Sequence, residues 1–286
     1  MLRRLSLKTF MFQALPLLVA LSLVGCGGGS SSSVVPPNQW TQVWSDEFAA
    51  ADGTPVDATK WTAETGGNGW GNNELEYYTA RPVNAVQQGG NLVITALKET
   101  YTGPDGVTRN YTSARLKTEG NFAQAYGRFE ARIKIPAGQG MWPAFWMLGD
   151  NIGSVGWPAC GELDIMENIG KEPTVVHGSM HGMGFTGASL GSPYSLPNNA
   201  NFADDFHLYA IEWEPGVVRF YVDSALYETR TPADLPAGAV WPFDHPFFII
   251  LNVAVGGDWP GSPDGTTVFP QTMQVDYVRV YKKTGT

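Results

Sequence analysis

Cysteine is nearly absent: two occur in 286 residues, Cys26 and Cys160. A disulfide-stapled scaffold is therefore excluded, and the fold has to rest on its own hydrophobic core. Basic side chains are scarce too, with 18 Lys and Arg against 27 Asp and Glu and a net charge of −9. That balance excludes nucleic acid as a partner and argues against polyanionic substrates such as sulfated or uronic glycans. No long amphipathic helical pattern occurs, so strands have to build the fold. A Gly-Lys-Ser/Thr phosphate loop and a dinucleotide fingerprint are both missing, which removes nucleotide chemistry. The run GSMHG at 178–182 lacks the spacing of a nucleophile elbow, so serine chemistry has no support. Four His, at 177, 181, 207 and 245, have no cysteine pair or Glu-rich helix to complete a zinc set, and read as polar supporting groups.

The N-terminus sets the compartment. Arg3, Arg4 and Lys8 precede an apolar run from Phe10 to Val24, and Leu23-Val24-Gly25-Cys26 follows. Residues 1–25 read as an export signal, and the run ending in Cys26 resembles the lipobox of bacterial lipoproteins, in which cleavage leaves a thiol to be acylated. Residues 26–38, GGGSSSSVVPPN with Cys26 at their head, read as a flexible tether. The expected product is a bacterial cell-envelope lipoprotein held to a membrane by its N-terminal lipid, at the outer membrane or cell surface. Removing residues 1–25 leaves 15 basic against 27 acidic side chains, a charge of −12. Cys160 is then the only cysteine besides the lipidated one and reads as a small buried apolar residue, although its neighbour Glu162 also admits a reactive thiol.

From residue 39 to 284 the composition is even, with no internal repeat. Strand-like runs recur at 91–98, 127–135, 207–223, 247–255 and 273–283, and Pro215-Gly216 divides one of them as a hairpin turn. A single-domain β-sandwich follows, with nothing to demand an oligomer.

Against this background GELDIMENIG, residues 161–170, places three carboxylates in six positions. On a strand Glu162 and Asp164 share a face while Leu163 and Ile165 enter the apolar layer, and Glu167 falls out of phase. A helix does no better. A β-bulge near Ile165 or Met166 restores Glu167 to the face of the other two. Glu162 and Glu167 would then lie roughly 13 Å apart at Cα, at ~3.3 Å per residue. Side chains leaning inward could approach the ~5 Å carboxyl separation of a retaining glycosidase. The same pattern also fits a solvated acidic strand or a cation site. Ten Trp occur, many beside Pro or Gly, which points to loops and strand ends: Trp142 and Trp146 around Pro143, Trp157 before Pro158, Trp241 before Pro242 and Trp259 before Pro260. Flat rings at a cleft can stack on the C–H face of a sugar.

GELDIMEN resembles the E-x-D-x-x-E active strand of glycoside hydrolase family sixteen, in the bulged form of bacterial laminarinases. WSDEF at 44–48, WGNNELEYYT at 70–79, residues 113–149 and residues 250–281 extend the resemblance across the domain. It implies a concanavalin-like β-jelly-roll sandwich whose concave face holds a substrate cleft, retaining endo-cleavage of β-glucan and no catalytic cofactor. Residue by residue it implies Glu162 as nucleophile, Asp164 as assisting acid and Glu167 as acid/base. Trp142 and Trp146 match sugar-stacking rings, Asn72, Arg115 and His181 match polar cleft positions, and Trp157 and Trp241 would be wall residues. A structural calcium ion is also implied on the convex side, at Glu47, a carbonyl near Gly90, and Asp276. One departure stands out: the usual NNELQYYT has Gln where this chain has Glu76, an extra anion expected to affect a subsite or the pH profile. Two alternatives share the fold, a β-glucan-binding module without activity and a hydrolase of another glycan such as agar or carrageenan. The presence of all three acids favours catalysis on β-1,3-glucan.

Overall fold

Period-two alternation makes strands such as Asn91–Ala96 and Val217–Val222 two-faced, Met141–Gly149 and Phe247–Val255 are apolar almost throughout, and two antiparallel sheets bury their inner faces against each other. The computed structural model describes residues 39–284. The expected signal segment, tether and lipidated Cys26 lie outside the described residues. The concave sheet runs in the order Gly191–Ser195, Val175–His181, Glu162–Glu167, Met141–Gly149, Phe247–Val255, Arg115–Lys117, Thr62–Glu64. The convex sheet runs Ala225–Arg230, Val217–Val222, His207–Glu214, Gly127–Lys134, Gln271–Lys283, Asn91–Ala96, Ala85–Gln88, and Trp40–Asp46 also pairs with Gln271–Lys283. This is the jelly roll expected from the resemblance.

The strand runs read from sequence are all present, and the hairpin turns at Pro215-Gly216, where Gly216 takes φ +72° as the tight turn requires. Phe145, Met147, Leu163, Met180, Leu251 and Val253 of the concave sheet meet Phe129, Ile133, Ile211, Trp213, Val278 and Val280 of the convex sheet, all fully buried. Each such side chain contributes about 1.5–3 kcal/mol by leaving water. The opposite face of the concave sheet is thereby free to carry polar groups.

One expectation is corrected. Trp142 is the second residue of Met141–Gly149, at a strand end as expected, but Trp146 lies in the middle of that central strand, paired on both sides. Pro143 is tolerated there because pairing with the neighbouring strand begins at Ala144 opposite Glu167. The Pro143 carbonyl accepts from Asn168 N–H at 3.2 Å, where that ladder has already ended, so the missing proline N–H breaks no strand hydrogen bond.

Candidate active site

The catalytic-looking strand enters through Gly149 and Gly161. A Cβ on Gly149 would lie 2.0 Å from the Cys160 carbonyl oxygen, and Gly161 takes φ +77°, so the approach of the two strands admits no side chain there. Within Glu162–Glu167 the register slips as expected. Asp164 opposes Trp146 and Met166 opposes Phe145 on one side, while Asp164 and Glu167 oppose Ser179 and His177 on the other. One extra residue is absorbed at Ile165-Met166, both buried in the core, and Glu162, Asp164 and Glu167 all face a cleft of about 830 Å³.

The three acids are held from several directions. Trp142 Nε1 donates to Glu167 Oε1 at 2.9 Å, Trp157 Nε1 donates to Glu162 Oε2 at 2.5 Å, and His181 Nε2 lies 2.9 Å from Asp164 Oδ2. Burial followed by the Asp164 charge pushes the Glu162 carboxyl up to about 8. Burial followed by the Glu162 charge pushes Glu167 up to about 7. Asp164, only 2% exposed, is raised well above the usual carboxylate range by burial and then by Glu167. Three crowded carboxyls cannot all ionise, so the row titrates as a unit and keeps protons near neutrality. Asp164 and Glu162 bring carboxyl oxygens within 4.8 Å of each other and can share a proton. In the microstate with that proton on Asp164, Glu162 is an anion that accepts from both Asp164 and Trp157.

Indole rings floor and wall the cleft. Trp142 meets Trp259 edge-on at 5.5 Å, and His177 meets Trp259 at 5.0 Å. Arg115 lies between Trp70 and Trp146, 4.8 and 4.7 Å from their rings, and donates to Glu64 Oε2 at 2.5 Å. Trp146 Nε1 donates to Asn252 Oδ1 at 2.7 Å. Trp157 stands at the rim, 54% exposed.

Asn72, Arg115, Trp142, Trp146, Trp157 and His181, singled out from the sequence, line the cleft with the acids. Trp241 is absent from the lining. Its ring packs edge-on against Phe243 at 4.9 Å, because Pro242 fills the space that Gly161 and Gly182 leave open. Trp70, Glu74, His177, Asn252 and Trp259 line the cleft without having been singled out as site residues. Asn252 had a visible signal, as the one polar residue in FFIILNVAV. Cys160 is buried with Leu148, Phe248 and Ile250, and burial pushes its thiol up, so the reactive-thiol alternative fails.

Glu76 does not reach the cleft. It is fully buried beneath it, while its neighbour Glu74 forms part of the lining. Among the described residues the one group of three metal-capable side chains is Glu162, Asp164 and His181, with ligand atoms within 4.8 Å of one another. On the convex side Asp46 opposes Val278 and Leu92 opposes Val275, so Glu47 and Gly90 both flank Asp276. The two carboxylates carry arginines there. Arg279 donates to both oxygens of Glu47 at 3.0 and 2.8 Å, and Arg132 Nη1 donates to Asp276 Oδ2 at 2.8 Å. A cation at that point would rest on carbonyl groups and Asp276 Oδ1, a hard oxygen set suited to calcium.

A jelly roll whose open, indole-lined cleft presents a row of proton-sharing carboxyls defines a glycoside hydrolase. The sequence profile of glycosyl hydrolases family 16 matches residues 72–279, and the chain belongs to that family. It is 46% identical over 272 residues to the beta-glucanase of Rhodothermus marinus, with 91% of each chain covered. The laminarinase catalytic domain of Thermotoga maritima superposes with a TM-score of 0.81 at 50% identity, covering 86% of this chain and 99% of that one. The endo-β-1,3-glucanase of Pyrococcus furiosus gives 0.82 at 49% identity, covering 86% and 95%.

Proposed function

We propose that this enzyme is a retaining endo-hydrolase of β-1,3-glucans of the laminarin type, with mixed-linkage β-1,3-1,4-glucan as a second substrate. The observation that carries this reading is the bulge that aligns three carboxyls along one face of an open aromatic cleft. The names of the similar enzymes support the substrate. In the first displacement the Glu162 carboxylate attacks the anomeric carbon, the glycosidic C–O bond breaks, and the leaving oxygen takes the Glu167 proton. A glycosyl ester on Glu162 results. Glu167, now ionised, removes a proton from water, whose oxygen attacks the same carbon and frees the Glu162 carboxylate. Asp164 holds the proton that keeps Glu162 hydrogen-bonded as an anion. The indoles of Trp142 and Trp146 would take the apolar faces of the sugar rings, with Asn72, Arg115 and His181 at the hydroxyls.

The protein is further read as an exported lipoprotein, acylated at Cys26 after loss of residues 1–25. That layout would hold the catalytic domain at the cell envelope. A structural calcium ion is assigned to the carbonyls of Glu47 and Gly90 with Asp276, and its addition should raise the melting temperature while chelation lowers it.

Reducing-end release by residues 39–284 from laminarin, curdlan, barley mixed-linkage glucan, agarose and carrageenan tests the proposal. Rapid release of oligosaccharides from laminarin is expected. No release from any β-glucan by the folded domain would contradict it and return the binding-module or other-glycan reading.

A further inference from the structure

At the cleft floor lies a second pair of carboxyls that the reaction does not use, Glu74 at its lining and Glu76 beneath it. Glu74 and Glu76 are 4% and 0% exposed. Glu74 accepts one donor on each oxygen, with Asn72 Nδ2 at 3.3 Å from Oε1 and the Tyr78 hydroxyl at 3.0 Å from Oε2, and keeps acceptor capacity to spare. Glu76 Oε2 accepts from Val255 N–H at 2.6 Å. Glu76 Oε1 is buried with no N–H or O–H donor directed to it, and its neighbour is the Glu74 carboxyl. An ionised oxygen there would be desolvated and unpaired, whereas a hydroxyl there has an acceptor in Glu74. The Glu74 end of this pair is wired into the cleft. Asn72 lines it, and Tyr78 OH accepts from Asn252 Nδ2 at 3.1 Å, while Asn252 holds the Trp146 indole. The same segment is stitched to the cleft edge by Leu75 N–H to Val255 O at 2.8 Å and Asp258 N–H to Asn72 O at 2.9 Å.

We propose that Glu76 is a positioning residue working as a neutral carboxylic acid, donating its proton to Glu74 and so fixing Asn72 and the Tyr78–Asn252–Trp146 chain for glucan binding. Burial, then the Glu74 charge and hydrogen bond, raise Glu76 well above the usual carboxylate range, in agreement with that geometry. The groups facing Glu76 are Glu74, Tyr78 and its own backbone N–H from its own segment and the Val255 N–H from Phe247–Val255, the two N–H groups favouring the anion and outweighed by burial and Glu74. Tyr111 lies opposite it on Tyr111–Ser113, and Arg115 acts on Tyr78 from Arg115–Lys117. Nothing basic touches Glu76 itself. Glutamine in its place keeps both functions, an oxygen for Val255 N–H and an N–H for Glu74; the anion is dispensable and the donor is required.

The inference rests on the β-glucan reading of the cleft, and its test separates the two. In the inactive E167Q background, calorimetric binding of a β-1,3-linked glucose tetrasaccharide is measured at pH 6 with Glu76, E76Q and E76A. The expected result is affinity within about twofold for E76Q and a loss of tenfold or more for E76A. E76Q as weak as E76A would show that the anion is needed and overturn the proposal, as would E76A binding like its parent. If E76A does not fold, parity or a tenfold loss in E76Q decides alone. If even the parent fails to bind at pH 6, the β-glucan reading falls, and melting temperatures at pH 4.5 and 9.5 judge Glu76. A neutral buried Glu76 predicts equal stability at pH 4.5 and an E76Q advantage at pH 9.5. The same difference at both pH values would overturn it.

Discussion

Glu167 has to hold a proton at the start of the reaction, and the Trp142 indole N–H is the group that works against this by favouring its anion. Protonated Glu167 is lost as the pH rises through about 7. Activity also needs the Glu162 anion, and the two carboxyls share protons, so the kcat/KM profile should peak between about 7 and about 8, with its alkaline limb falling above that range. Trp142→Phe removes the donor, raises the Glu167 pKa and should move the limb to higher pH, a shift read directly from rates between pH 5 and 9. A limb that moves down would show that the bond stabilises the acid instead. Replacement of the acid itself has a larger effect: Glu167→Gln should lower kcat on laminarin by roughly 10²–10⁴-fold, with KM changed only a few-fold. An unchanged kcat would remove Glu167 from its role. At this scale the sequence was partly legible. The acids announce themselves by type and phase, but Trp241-Pro242 and Trp259-Pro260 are alike in local context, and only the close packing of Pro242 on Gly161 and Gly182 sends Trp241 away from the cleft. Likewise Glu76 is visible as a departure from NNELQYYT, while its burial depends on the Phe247–Val255 strand, far away in sequence.

The bulged strand Glu162–Glu167 is the element on which the chemistry depends, and its irregularity could be read from the out-of-phase Glu167. Inserting an alanine between Met166 and Glu167 would put the alanine on the cleft face and turn Glu167 toward the core face. Such a variant should lose turnover completely even where circular dichroism shows that β structure persists. Retained activity would mean that the bulge does not set the register of the acids. Neighbouring Met141–Gly149 was less legible. Pro143 suggested a break, because sequence alone does not reveal that the adjoining ladder stops at Glu167, one residue before the missing N–H would be needed. Phe145 anchors the same strand in the core, and its truncation to Ala should cost about 3–5 kcal/mol of stability, measured by denaturant unfolding.

For the molecule as a whole, the acid row is a source of instability that changes with pH. The folded-state pKa values of Glu162 and Glu167, about 8 and about 7, lie above the 4.5 of a free carboxyl. Protonation thus favours the fold; that contribution is fully present below pH 4.5 and is lost as the pH rises toward 8. Glu162→Gln should therefore melt at the same temperature as the parent near pH 4.5 and several degrees higher at pH 8.5. A difference independent of pH would contradict the shared-proton description. The two-sheet architecture was legible because strand-like runs recur between turn signals and the hairpin carries Pro-Gly. The cleft was legible only through resemblance, since its walls come from segments as distant as Asn72 and Trp259.

The most direct test of the central claim is time-resolved proton NMR of laminarin hydrolysis, following the anomeric signals of newly released reducing ends before mutarotation. Acids aligned by the bulge for double displacement predict that the β-anomer forms first and the α-anomer grows in later. Initial release of the α-anomer would mean inversion by a single displacement, and Glu162 would then not be the nucleophile.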